Sequence, residues 1–158
     1  MMVERRAFTL AQEPTGELYR SILAKALQHC DRFTLVQRRE CIIDESAKKV
    51  FSELSGHLRQ ERDVSEWPGT KLLDDTAILR EYELSEASVA VLGRVVEGLY
   101  EWCQPGRPED PVFWRVSGGP WLVTIAHESD AYFEMTSAEH EELVRSVPAL
   151  SAVLEAGE

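Results

Sequence analysis

Val112-Phe113-Trp114-Arg115-Val116-Ser117-Gly118-Gly119-Pro120-Trp121-Leu122-Val123-Thr124-Ile125-Ala126 is the stretch on which the fold turns. Two runs rich in β-branched and aromatic residues flank Ser117-Gly118-Gly119, and that pattern reads as a β-hairpin. Beyond the polar link His127-Glu128-Ser129-Asp130, the run Ala131-Tyr132-Phe133-Glu134-Met135 supplies a third antiparallel strand. Thr136-Ser137-Ala138-Glu139 is a capping box, so a helix starts there, and Pro148 ends or kinks it.

Reading back from the hairpin, Gln104 to Pro111 is a breaker-rich loop. Before it, Ser85 caps a helix whose apolar residues Val91, Leu92, Val95, Val96, Leu99 and Trp102 carry it to about Cys103, although Gly93 and Gly98 weaken it. Thr76–Tyr82 reads as a strand. Trp67-Pro68-Gly69-Thr70 is a loop with a turn at Pro68-Gly69. Asp44 caps another helix, with Ala47, Val50, Phe51, Leu54 and Leu58 on one face. Phe33–Gln37 reads as a strand, and Thr15 caps a first helix that ends near Cys30-Asp31. Residues 1–13 are expected as a loosely ordered arm and 152–158 as a frayed tail. Short turns between late strands imply an α+β fold over residues 1–158. It is a single domain, a mainly antiparallel sheet with about four helices packed on it. Val50, Phe51, Leu54, Leu58, Val91, Val95 and Leu99 are expected to pack on Leu35, Ile78, Val123 and Ile125.

The chain has 158 residues, enough for one domain to bury a core without disulfides or a metal. The apolar run near the start, Ala7-Phe8-Thr9-Leu10, is too short for a signal-peptide core, and no stretch reaches the ~20 apolar residues of a membrane span. Cys30, Cys41 and Cys103 read as reduced thiols, and the expectation is a cytoplasmic protein. Net charge is −11 and uneven: residues 80–158 hold five arginines and no lysine against fifteen carboxylates, while residues 1–79 nearly balance. This argues against a nucleic-acid backbone as partner and fits either a basic protein partner or simple solubility. Nothing sets an oligomeric state.

His127 with Glu128 or Asp130 is the most polar cluster beside a strand and suits general acid–base work. The plainer reading is a hairpin loop whose side chains satisfy backbone N–H groups. His29, Cys30 and Cys41 match no zinc spacing, so no metal and no cofactor are expected. Gly118-Gly119 joins strands and opens no helix, so it does not cradle phosphate. Trp67 and Trp121 stand beside acidic or Gly-Pro loops, as interface anchors do, though tryptophans also plug the ends of sheets. Arg32, Arg38, Arg39, Lys48 and Lys49 form the basic concentration of the chain; they suit an anion, or pair with the acidic half.

Four short patterns, Trp67-Pro68-Gly69-Thr70, Leu99-Tyr100-x-Trp102, Pro108-Glu109-Asp110-x-x-Phe113 and Ala126-His127-Glu128, resemble those of small uncharacterised bacterial proteins associated with immunity-type partners of toxins. The resemblance covers the C-terminal two-thirds, implies a binding protein and carries over no catalytic residue. The expectation is a non-enzymatic acidic protein that neutralises or docks a basic protein partner through an acidic surface of solvated Glu109, Asp110, Glu128 and Asp130 joined by Glu134, with Trp67 and Trp121 as anchors. A small hydrolase or transferase using His127, and a small-molecule sensor with an apolar pocket between the sheet and the third helix, are the alternatives.

Overall fold

Residues 4–156 are described by a computed structural model of the chain. In chain order the elements are β1 (Arg6–Leu10), α1 (Gly16–His29), β2 (Cys30–Arg38), α2 (Glu45–Leu54), β3 (Leu58–Val64), β4 (Glu66–Trp67), β5 (Thr70–Lys71), β6 (Ala77–Glu83), α3 (Glu86–Val95), β7 (Glu109–Arg115), β8 (Pro120–Ile125), β9 (Asp130–Met135), α4 (Ser137–Ser146) and β10 (Leu154–Ala156). The α+β reading holds. An eight-stranded sheet of order β10-β1-β9-β8-β7-β2-β6-β3 has antiparallel neighbours throughout. The hairpin β7–β8 and the strand β9 form a meander in its middle, as the Gly-centred turn dictates.

The helices cover one face of the sheet. Tyr19, Ile22 and Leu23 of α1, Leu54 of α2, Leu92 of α3 and Leu143 of α4 share one core with Phe33, Leu35, Tyr82, Phe113, Leu122 and Phe133 from the strands. The opposite face carries two smaller clusters without helix residues. Val36, Trp67, Ala77 and Leu79 form one; Val112, Val123 and Ile125 form the other. Val123 and Ile125 therefore do not back the helices as expected, because Leu122 pairs with Phe133 and fixes which residues of β8 point inward.

Four other expectations are corrected. The arm is not loose, because Phe8 and Leu10 are buried and β1 lies between β9 and β10. Leu154–Ala156 belongs to β10 rather than a frayed tail; residues 1–3 and 157–158 lie outside the described residues. Helix α2 stops at Leu54, and Leu58, 40% exposed, starts the charged edge strand β3. Helix α3 stops at Val95, because the following backbone pairs with the turn before α1. There the Gly16 N–H donates to Glu97 O and the Leu99 N–H to Pro14 O. A separate 3-10 turn then spans Leu99–Glu101.

The ribbon β4–β5 folds over the helix-free face. Its turn needs Gly69, with φ +90°, and a Cβ there would stand 2.5 Å from Ile125 Cγ1. That close approach brings Trp67 to the end of the sheet where β7 begins.

Candidate functional site

β7 opens with Glu109 and Asp110, and neither is solvated: Glu109 is 4% exposed and Asp110 0%. Pro108 and Pro111 enclose the pair, and Asp110 takes a left-handed φ of +54°, a conformation that Asp tolerates better than most residues. A buried carboxylate needs donors, and Asp110 has two. Trp67 Nε1–H donates to Oδ2 at 3.0 Å, and the Ala126 N–H donates to Oδ1 at 2.9 Å. Its own N–H donates to Trp102 O. Asp110 thus ties together residues from all four patterns on which the resemblance rests.

Burial pushes the Asp110 carboxyl above its ordinary range, and Glu109 beside it adds to the rise. The two hydrogen bonds and His127 oppose it. Glu109 has different neighbours. Its Oε1 accepts from the Gln104 N–H at 3.3 Å and lies 3.7 Å from the Cys103 thiol. Its Oε2 lies 2.7 Å from Arg38 Nε in a charge contact without hydrogen-bond alignment. Gln104 completes the clamp, since its Oε1 accepts from the Arg38 N–H at 2.6 Å. The Arg38 guanidinium also faces the Trp67 ring, 5.4 Å from its centroid.

His127 is exposed, on a 3-10 turn spanning Ala126–Glu128. Its Nδ1 lies 3.3 Å from Arg38 Nη2, and its Nε2 lies 4.0 Å from Glu128 Oε1. Glu109, Asp110 and His127 offer ligand atoms within 4.8 Å of one another, a spacing a metal ion could use. The donor set fits poorly, however. Both Asp110 oxygens and Glu109 Oε1 already accept bonds, and Arg38 faces the remaining oxygen. This is a socket for a guanidinium. Burial and Glu109 push the Cys103 thiol up to about 11, so it is held as the thiol at neutral pH.

The expected acidic surface is therefore rearranged. Glu109 and Asp110 leave it, and Trp67 and Trp121 are core residues rather than exposed anchors, with Trp121 edge-on to Phe133 at 4.9 Å. Glu128 is exposed, and Asp130 is half-buried beside it. Glu134 shares the helix-free face of β9 with Asp130 but lies four residues along, about 13 Å at strand spacing, toward Arg5 and Arg115. Two residues missed in the sequence stand in for the lost carboxylates. Glu13 Oε2 accepts from the Tyr100 N–H at 2.8 Å, and Glu101 Oε2 accepts from the Gly98 N–H at 2.6 Å. Burial, then Asp130, then Glu13 push the Tyr100 phenol up to about 12. Gln104, Glu13 and Glu101 carry no sequence signal, because their partners lie 66 to 87 residues away or, for Glu101, within a turn read as helix. Arg38 belongs to the basic group read from the sequence, and it pairs with the acidic half through Glu109.

No protein-family model, no curated protein and no solved structure matches the chain. Among the described residues, no helix is long and apolar enough to cross a membrane.

Proposed function

We propose that this chain is a non-enzymatic acidic binding protein that docks a basic protein partner at the end of the sheet around Tyr100. The observation that carries the reading is the contact between the 3-10 turns Leu99–Glu101 and Ala126–Glu128, which bear exposed Glu101 and Glu128, with exposed Glu13 bonded to the first turn and half-buried Asp130 just after the second. Beneath them buried Asp110 ties the turns together, accepting from the Ala126 N–H and donating its own N–H to Trp102 O, so the carboxylates are displayed on a fixed base. A like-signed surface of this kind speeds encounter with a basic protein and selects against acidic ones. The resemblance of the four patterns points to a bacterial toxin domain as that partner, with this chain as its immunity-type inhibitor.

The experiment is to crosslink the protein in its source cells, identify the partner, purify it and measure the association. A basic partner that binds wild type and binds Glu101→Lys/Glu128→Lys/Asp130→Lys far more slowly supports the reading. An acidic partner, or equal rates for the two proteins, overturns it. Where the partner is toxic, survival of cells co-expressing both tests the inhibitor role. The alternative, a hydrolase or transferase using His127, draws on the 4.0 Å approach of its Nε2 to Glu128.

A further inference from the structure

Between α2 and α3 a pocket of about 260 Å³ is lined by Ser46, Lys49, Glu53, Arg94 and Arg107, with Val50 and Val95 as its apolar wall. In a chain with 28 carboxylates for 17 lysines and arginines, a recess with three cations and one carboxylate runs against the overall charge. Glu53 is engaged by Arg94, Oε2 to Nη2 at 2.6 Å, and that bond holds its carboxyl below the ordinary range. Among the described residues, the other two cations form no ion pair with a carboxylate. Arg107 donates to Gly106 O at 2.7 Å and Val95 O at 3.3 Å, bonds that fix its guanidinium plane, and among the described residues its Nε–H has no acceptor. Lys49 makes no ion pair among the described residues, whereas Lys48 beside it pairs with Glu45 at 3.1 Å.

From this arrangement we infer a binding site for a small phosphate monoester, with Lys49, Arg94 and Arg107 around the phosphate and Val50 and Val95 against the carbon part of the ligand. The charge matches: three cations less Glu53 leave two positive charges, and a phosphate monoester carries about −1.5 to −2 at neutral pH. The size matches too, because the pocket is smaller than the roughly 300–1,000 Å³ that drug-sized ligands occupy. The fixed Arg107 fork supplies directional donors, and Lys49 supplies a mobile point charge. This site is independent of the acidic end of the sheet.

The test is an amide NMR titration with glycerol phosphate and with inorganic phosphate at matched ionic strength, with chloride as the control. Saturable shifts at Ser46, Lys49, Val50, Val95 and Arg107 are expected, with the ester tighter than the free ion because only the ester reaches the valines. Equal affinity for the two assigns the site to free phosphate and overturns the ester. Lys49→Ala, at an exposed position, should weaken binding about tenfold while Lys48→Ala leaves it unchanged. Glu53→Gln should tighten binding by releasing Arg94. Shifts that do not saturate, that chloride reproduces, or that Lys48→Ala reduces as much as Lys49→Ala overturn the site. So does a Glu53→Gln variant that binds no tighter.

Discussion

Asp110 sets the chemistry of the candidate site because it is a fully buried carboxylate with both oxygens in use. Trp67→Phe removes one donor and part of the buried indole, so a small cavity adds to the cost of the lost bond. The stranded Oδ2 should cost about 1–3 kcal/mol, the range for a buried polar group left unpaired, and chemical denaturation reads it. The pH dependence of Asp110 has a definite sign. Its folded pKa is raised above the ordinary 3.8, so the native state favours the protonated form. The stability this adds is full below pH 3.8 and is lost as pH rises through the folded value. Asp110→Asn should therefore be most costly in acid and less costly at neutral pH; a cost that grows with pH would mean the carboxylate is stabilised as the ion. His127 is exposed and, among the described residues, makes no hydrogen bond to a carboxylate. His127→Ala should keep the fold and the partner affinity, and a folded variant that loses protective activity by a large factor would move the enzyme reading ahead.

At the scale of elements, the legible parts were those whose signal is local. The capping box at Thr136 forms as read, with its hydroxyl accepting from the Glu139 N–H at 3.1 Å, and the Ser117-Gly118-Gly119 turn joins β7 to β8. Where pairing comes from far along the chain the sequence was silent. β3 reads as a failed helix because an edge strand with both faces wet shows no alternation, and its charges keep that edge from pairing with another chain. β1 is too short to announce itself, and only β9 and β10 make it a strand. The site suffered most: two adjacent acids between prolines look like a solvated loop, and only Arg38, Gln104 and Trp67, each distant in sequence, explain their burial. The revised elements make their own predictions. Leu54→Ala in α2 should cost about 2–5 kcal/mol, as for any fully buried leucine, while Leu58→Ala on the exposed edge should cost less than about 1. Equal shifts in denaturation midpoint would put Leu58 back on the helix. Gly69→Ala should also destabilise, because its φ of +90° is strained for alanine and its Cβ would meet Ile125.

For the whole molecule, the question is what a net charge of −11 does once it is placed on the structure. The sequence located the excess in residues 80–158 but not its direction. Folding hides Glu109 and Asp110, sends Glu134 toward Arg5 and Arg115, and draws Glu13 in from the other half of the chain. The field at the Tyr100 end then comes from Glu13, Glu101 and Glu128 on turns and loops and from Asp130 at the start of β9. Such a field acts at range, so it accelerates encounter more than it tightens the docked complex. Raising salt to physiological ionic strength shortens the Debye length to about 8 Å and should slow association with the basic partner while leaving dissociation nearly constant. Reversing Glu101, Glu128 and Asp130 to Lys should slow it further and flatten the salt dependence. Glu128→Lys by itself should change stability by less than about 0.5 kcal/mol, because its side chain is exposed and, among the described residues, bonds to no backbone group. Glu101 differs, since it caps the Leu99–Glu101 turn through Gly98, so Glu101→Gln is its charge-only control. The measurement is a salt series of stopped-flow association rates for the wild type, the triple reversal and that control. Rates indifferent to both salt and reversal would leave the acidic surface with solubility as its only role.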